Sequence, residues 1–177
     1  MNKENNKKAQ FSKERIATSL MKLMQKDKFY DITITEICQE AEVGRASFYR
    51  NFESKEDVVR FIVNYKLDSM LHNVENLREV MYDGETFYSV FNKEREFLTL
   101  VFKNDLFLIF LRCFYRYVLN RYEMEVNDPE NKYYDYVMGM ITYQIVGLLD
   151  IWVGRNCKDD AHNFKEIIDI HPKILRK

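Results

Sequence analysis

The sequence has 177 residues, 46% hydrophobic and 31% charged, which is enough for one domain or for a small domain joined to a medium one. Its net charge of −1 gives no reason to expect a polyanionic partner for the chain as a whole. The charge is uneven, however: residues 1–66 carry 13 Lys and Arg against 10 Asp and Glu, whereas residues 67–177 carry 14 against 18. The N-terminal part is therefore the better candidate for contact with a polyanion.

The scarcity of helix breakers defines the fold class. Only five glycines and two prolines are present, and almost no stretch alternates apolar and polar residues as a strand would. We therefore expect an all-α protein. Three widely spaced cysteines favour reduced thiols over a disulfide framework.

Several functional classes find no support in the sequence. The first ten residues lack the apolar core of a signal peptide, and the most apolar run, 106–111, is too short to span a bilayer. The three histidines have no metal-site spacing, no Gly-rich phosphate loop is present, and no serine lies in a nucleophile-elbow motif. We expect a cytoplasmic, non-membrane protein with no catalytic residues, no metal and no cofactor.

The N-terminal helices come first in chain order. Residues 1–10 are interpreted as a flexible polar arm, and Ser12 is placed as the cap of a first helix that ends in the sequence KDKFYD. Thr33 and Glu36 then have the spacing of a capping box, which predicts the start of a second helix. Gly44 is expected to supply the turn into a third helix at about 45–52.

A fourth helix is expected to follow directly. Ser54 and Asp57 can cap it, and it could run to about residue 82. Three short helices with a turn before the third describe a helix-turn-helix unit. We therefore predict a DNA-binding domain at 10–66 and a second helical domain at 67–177.

The C-terminal part predicts four more helices, at about 86–103, 105–126, 130–156 and 160–170. Asp128-Pro129 is a start signal for the third of these, and His171-Pro172 is expected to end the last. The helix at 105–126 has almost no polar face in its first half and should be largely buried.

The third helix carries the residue types that read DNA. In a helix-turn-helix unit the N-terminal residues of the second helix face base edges, so Arg45, Ala46 and Ser47 are the candidate base contacts. The candidate phosphate contacts lie on and around that helix. They are Tyr49 and Asn51 one turn on, Lys55 at the next helix start, and Thr33 and Thr35 at the preceding one. The alternative, an ordinary amphipathic helix with a solvated arginine, does not account for the caps and turn in register around it.

The segment TITEICQEAEVGRASFYRNFESKEDVV resembles the DNA-binding segment of the tetracycline-repressor family of bacterial transcription regulators. The resemblance covers about the first 60 residues. It implies an all-helical homodimer that binds a palindromic double-stranded operator, usually as a repressor released by a small-molecule effector. It also implies DNA contacts at the eight positions named above.

Two features of the C-terminal part leave alternatives open. Gly139, Gly147 and Gly154 recur on one side of a helix, which favours close approach of a second copy, or packing of Gly147 within the chain. Arg112 and Arg116 could rim an apolar effector pocket, but solvent exposure or pairing with Glu94 or Glu96 is the favoured interpretation.

Two rival functions also stay open. One is a DNA-bound adapter or activator that acts through a protein partner or a co-activating ligand. The other is a small-molecule-binding protein with a decayed DNA-binding head, against which the intact Arg45, Tyr49 and Lys55 argue.

Overall fold

The computed structural model describes residues 3–75, 77–122 and 133–174. Within these ranges the chain is helical with no β-strand, which confirms the all-α prediction. The helices are α1 (Lys3–Met24), α2 (Ile34–Glu40), α3 (Arg45–Asn51), α4 (Lys55–Leu71), α5 (Leu77–Tyr82), α6 (Gly84–Asn92), α7 (Arg95–Lys103), α8 (Phe107–Tyr122), α9 (Tyr134–Gly154) and α10 (Ala161–Ile174).

The chain divides into two compact units, Met1–Val63 and Asn64–Lys177. The division falls inside α4, as does the boundary at 66/67 expected from the sequence. In the N-terminal unit, α1 packs against α2 and α3, and α2 packs against α3. The core of this unit consists of buried apolar side chains from the helices and from the connection between α1 and α2, among them Ile16, Leu20, Phe29, Ile37, Phe48 and Val58.

The start of the chain differs from the prediction. Helix α1 begins at Lys3, so residues 3–10 do not form an arm in this structure, and Ser12 lies inside the helix rather than at its cap. No glycine or proline interrupts this stretch, and Gln10 donates a side-chain hydrogen bond of 2.8 Å to Glu14 one turn later. Such i,i+4 pairs support helix on a surface without needing a core.

The C-terminal unit is held by aromatic packing. Helix α6 packs on α10, α8 on α9, and both α5 and α7 on α9. Phe164 of α10 lies between Phe87 and Trp152, with ring centroids 4.7 and 5.7 Å away. Phe110 and Phe114 stack within α8 at 6.0 Å.

Two helices are shorter than expected. The fourth was expected to reach residue 82, but α4 ends at Leu71 and α5 begins at Leu77, and both of these leucines are buried. The helix expected at 86–103 is two helices, α6 and α7, separated at residues 93–94. Glu94 accepts a hydrogen bond from Lys66 of α4 at 2.7 Å, a contact between distant residues that no local signal announces.

The remaining boundaries also differ in part. Helix α10 continues two residues past Pro172, so His171-Pro172 does not end it. Leu108, in the first half of α8, is 62% exposed, so that half is not wholly buried. The predicted start signal Asp128-Pro129 lies outside the described residues.

Candidate nucleic-acid interface

The capping box predicted at the start of α2 is present. The Thr33 hydroxyl accepts a hydrogen bond from the Glu36 backbone N–H at 3.2 Å, and the Glu36 carboxylate accepts one from the Thr33 backbone N–H at 2.7 Å. The Thr33 hydroxyl also donates to the same carboxylate at 2.7 Å. This donation, followed by the backbone one, lowers the pKa of the Glu36 carboxyl.

This cap occupies the polar atoms of Thr33 that were predicted to meet DNA phosphate. The single proton of its hydroxyl goes to Glu36, and so does its backbone N–H. A threonine hydroxyl has one donor, so the free protein offers no Thr33 donor to an anion. Thr35, the neighbouring candidate, is exposed on α2.

The turn between α2 and α3 is made by a different residue from the one predicted. Glu42 adopts the left-handed conformation at φ 49°, whereas Gly44 has φ −73° and acts as the N-cap of α3. The backbone N–H groups of Glu42 and Val43 donate to the carbonyls of Gln39 at 3.0 Å and Cys38 at 2.9 Å. This pair of bonds is a Schellman motif, in which glycine usually holds the place that Glu42 holds here.

Helix α3 presents one face to solvent and one to the core. Phe48 is fully buried, and at 100° per residue Ala46 and Arg50 lie about 160° from it. Arg45 and Tyr49 lie together on one side of that direction, about 60° and 100° from Phe48. All four side chains are exposed, so the exposed surface of α3 carries two arginines, an alanine and a tyrosine.

Arg50 is a candidate contact that the sequence prediction missed. Its charge was visible in the sequence, and its spacing of four from Ala46 places it on the same face. Counting from the buried Phe48 would have found it. It lies in the last turn of α3, further along the helix than the predicted base contacts.

Arg45 and Tyr49 lie against each other on the exposed surface of α3. The Arg45 guanidinium donates to the Tyr49 hydroxyl at 3.5 Å and lies 6.0 Å from the ring centroid. The hydrogen bond raises the pKa of Arg45 further above neutrality. A guanidinium has five N–H donors, so this contact leaves most of the fork for a base or a phosphate.

Asn51 and Ser47 are less available than predicted. The Asn51 side-chain amide donates to the backbone carbonyl of Ser47 at 2.7 Å, and both residues are half-buried. One of the two amide hydrogens of Asn51 is thus used inside its own helix.

Lys55, a predicted phosphate contact, makes hydrogen bonds within the N-terminal unit. Its ammonium donates to the backbone carbonyls of Phe29, Tyr30 and Ile32 at 2.7, 3.1 and 2.8 Å. It also lies 4.6 Å from the centroid of the Phe29 ring. Because an ammonium has three donors, these bonds use all of them.

The described residues contain no group of histidine, cysteine and carboxylate side chains that could hold a metal ion. The N-terminal unit presents a packed pair of helices, α2 and α3, and α3 exposes cations, a hydroxyl-bearing ring and a small apolar side chain. These are the groups that bind phosphates and read base edges in the major groove. The arrangement is that of a helix-turn-helix DNA-binding protein.

Comparison with known proteins places the unit more closely. Residues 17–61 match the family model described as bacterial regulatory proteins, tetR family. The N-terminal domain therefore belongs to the tetR family, as its sequence resemblance predicted, and the chain is a DNA-binding transcriptional regulator.

A solved structure supports the fold of the whole chain. The crystal structure of Lin0861 from Listeria innocua is similar with a TM-score of 0.75 and 18% sequence identity, over 99% of this chain and 95% of that one. At this identity the likeness is one of fold alone. No curated protein sequence matches the chain.

Proposed function

We propose that the protein is a cytoplasmic homodimeric repressor that binds a palindromic operator and is released by a small-molecule effector. The observation that carries the DNA-binding part is the exposed surface of α3, which presents Arg45, Ala46, Tyr49 and Arg50 to solvent while Phe48 is buried. No catalytic step, metal or cofactor enters this function.

The dimer part of the proposal is supported by an uncovered apolar face on α9. Tyr136, Met140, Tyr143 and Ile151 are 73, 67, 63 and 62% exposed and fall on one side of the helix at spacings of four, three and eight. Gly147 lies in the middle of this face, and outside its chain neighbours and the adjacent backbone of α9 no atom of the described residues comes within 4 Å of the Cβ position it would have. Packing of Gly147 within its own chain is therefore not what the structure shows.

A second copy could pack closely on this face because Gly147 has no side chain. Gly147 gives up about 1 kcal/mol of helix stability relative to alanine, and close approach of another helix would offset that loss. Gly154 and the exposed Asp150 lie on the same side by helical spacing, whereas Gly139 is near Tyr115 at 3.8 Å. On α10 the half-exposed Ile167 and Ile170 add apolar surface to the unit.

The same helix raises a membrane alternative. By length and composition alone, residues 135–154 could cross a bilayer, with a mean hydropathy of 1.5 in the best window, 39% of which is buried. A core helix of a soluble protein passes the same test, and α9 packs on α5, α7 and α8. One such helix is weak support for a membrane span, and a dimer surface accounts for its exposed side.

A cleft in the C-terminal unit supports the effector part. It has a volume of about 310 Å³, at the lower end of the range of ligand pockets. Hydroxyl, amide and charged side chains dominate its lining, which suits a small polar molecule. The lining residues are Ser69, Met70, Asn73, Val74, Glu79, Thr86, Ser89, Val90, Lys93 and Glu94. Arg112 and Arg116 are exposed on α8 and do not line it.

Release would act through the spacing of the two α3 helices in the dimer. Two copies of α3 must reach half-sites about 34–36 Å apart, one turn of the duplex. A ligand that binds better to a dimer with another spacing lowers operator affinity by that difference in binding free energy.

The first test is selection of genomic and random DNA fragments by the purified protein at near-physiological salt. Enrichment of a palindrome is the expected result. Weak, sequence-independent and strongly salt-sensitive binding would instead mean that α3 does not read bases, and the proposed function would fail.

The dimer is tested by analytical sedimentation of two variants, each with an apolar residue replaced by glutamate. Met140→Glu, on the uncovered face of α9, should shift the protein to monomer and abolish operator binding. Leu108→Glu is the matched control, since Leu108 is 62% exposed on α8. If both variants sedimented like the wild type, the uncovered face of α9 would not be the dimer surface.

The effector site is tested by filling the cleft. Ser89→Phe should leave operator binding intact and abolish the thermal stabilisation given by any ligand found by screening the wild-type protein. A ligand that still stabilises the variant binds outside the cleft.

A further inference from the structure

Lys55 makes an unusual set of contacts for the first residue of a helix. The three backbone oxygens that it meets come from Phe29, Tyr30 and Ile32, all within the connection between α1 and α2. No side-chain carboxylate takes part in these contacts. Three carbonyls can accept from one ammonium only if the backbone of the connection turns them toward it. The conformation of the connection and the position of Lys55 therefore depend on each other.

The positions of these contacts in the chain give them a topological meaning. Ile32 directly precedes Thr33, the N-cap of α2. Lys55 is the first residue of α4 and lies three residues after Phe52, the C-cap of α3. The bonds therefore join the two ends of the segment that contains α2, the turn and α3. They close the whole helix-turn-helix into a ring of about 25 residues, as a disulfide closes a loop.

An aromatic contact of Lys55 belongs to the same arrangement. Its ammonium lies over the ring of Phe29, which is fully buried in the core of the N-terminal unit. The contact adds a cation–π attraction to three charge-assisted hydrogen bonds. Lys55 is half-buried, in contrast to the exposed Arg45 and Arg50 on α3.

We propose that Lys55 is a positioning residue of the DNA-binding unit, which holds α2 and α3 in their reading geometry, and that it contributes no phosphate contact. This proposal rests on the proposed function, because positioning matters only if α3 reads an operator. The proposal distinguishes the arginines of α3, which meet DNA, from Lys55, which determines where α3 lies.

The two roles predict different salt dependences. A phosphate contact releases counterions, so its loss weakens all DNA alike and lowers the slope of log affinity against log salt by about one. A positioning contact releases none. Its loss misaligns base contacts, which lowers operator affinity and leaves the slope as it was.

The experiment compares Lys55→Met with Lys26→Met in the full-length protein. Lys26 is exposed just after α1 and controls for the loss of one positive charge from the N-terminal unit. We expect Lys55→Met to lower operator affinity by about tenfold or more, the loss of one good base contact, with little change for random DNA. An equal loss for operator and random DNA, with a slope smaller by about one, would overturn the proposal.

Lys55→Arg tests the geometry of the donors. An ammonium points three N–H bonds from one nitrogen, whereas the planar guanidinium spreads its donors over three nitrogens. We expect Lys55→Arg to bind the operator as weakly as Lys55→Met. Wild-type operator binding by this variant would mean that the charge alone matters, as in a phosphate contact.

Backbone amide exchange keeps the test independent of folding and of the operator. If the lysine holds the connection, exchange at residues 32–38 is faster in Lys55→Arg than in Lys26→Met, and unchanged exchange would overturn the proposal. If the methionine variant does not fold, the arginine variant supplies this comparison. If the wild-type protein selects no operator, the proposed function fails on that result alone, while the exchange data still decide whether Lys55 orders the segment.

Discussion

The two units of the chain are stabilised by different kinds of contact. In the N-terminal unit, backbone and side-chain hydrogen bonds determine where helices begin and end, as at the Thr33 cap and the turn at Glu42. In the C-terminal unit, aromatic rings from distant helices meet around Phe164. The hydrogen bonds at the helix ends are largely local in sequence, whereas the aromatic contacts join distant residues. The two units therefore differ in how well their structure can be predicted from sequence and in which substitutions should destabilise them.

The largest effect should come from a close backbone approach in the C-terminal unit. A Cβ atom on Gly84 would lie 2.3 Å from backbone atoms of Phe164 and Lys165, so α6 could not keep its place on α10. Since neither backbone can yield as a side chain would, Gly84→Ala should cost about 3 kcal/mol or more. Denaturant unfolding followed by circular dichroism measures this loss.

Gly44→Ala is the matched control in the N-terminal unit. Gly44 has φ −73° and no atom within 4 Å of the added Cβ, so the substitution should change the free energy of unfolding by less than about 1 kcal/mol. If both alanine variants were equally stable, the contact between α6 and α10 would be looser than the structure shows.

The next effect concerns DNA affinity. If Arg45 reads a base edge as proposed, Arg45→Ala should cost about 1–3 kcal/mol of operator binding and relax specificity. Arg50→Ala, in the last turn of the same helix, should instead weaken all DNA sites alike and reduce the salt slope by about one. Titrations at several salt concentrations separate the two. Identical behaviour of both variants would contradict the division between base reader and phosphate contact.

A smaller effect tests the turn between α2 and α3. Glu42→Gly should stabilise the protein by up to about 1 kcal/mol, because glycine adopts the left-handed conformation without strain. Loss of the exposed pair between Glu42 and Arg15, 2.7 Å apart, offsets part of this gain. Glu40→Gly, two residues earlier and inside α2, should destabilise by about as much. Thermal unfolding that moved in the same direction for both variants would rule out strain at Glu42.

The smallest effect is a dependence on pH that both units share. Hydrogen bonds from Thr33 lower the pKa of Glu36, and those from Thr86 lower that of Asp83. A carboxyl with a lowered pKa in the folded state adds stability above its ordinary pKa, 4.5 for Glu36 and 3.8 for Asp83, and loses it as the pH falls. The difference in unfolding free energy between wild type and Glu36→Gln should therefore shrink from pH 7 to pH 3. A difference that grew would give the shift the opposite sign.

Local signals made much of the N-terminal unit predictable. The capping boxes at Thr33 and Ser54, the extent of α3 and the burial of Phe48 all follow from residues within four positions of each other. The prediction was wrong for the turn because Gly44 is the obvious left-handed residue, yet the backbone places Glu42 there. A glycine can adopt the left-handed conformation without steric strain, but its presence does not require that conformation.

Prediction of the site and of the C-terminal unit was limited by contacts between distant residues. The spacing of Lys55 indicates a helix start next to DNA, but its bonds reach residues 23 to 26 positions away. Likewise, the separation of α6 from α7 lies where Glu94 meets Lys66 of α4. Such pairings depend on how helices come together, and no periodicity within one segment carries that information.

The single tryptophan of the chain gives one of these buried contacts an optical consequence. Trp152 is 1% exposed, its indole N–H donates to the carbonyl of Asp159 at 3.0 Å, and the N-terminal unit contains no tryptophan. Emission excited at the red edge of protein absorption therefore comes from the C-terminal unit alone. A red shift on unfolding would time the loss of that unit, and its lag or lead relative to the loss of helical ellipticity would show whether the two units melt together.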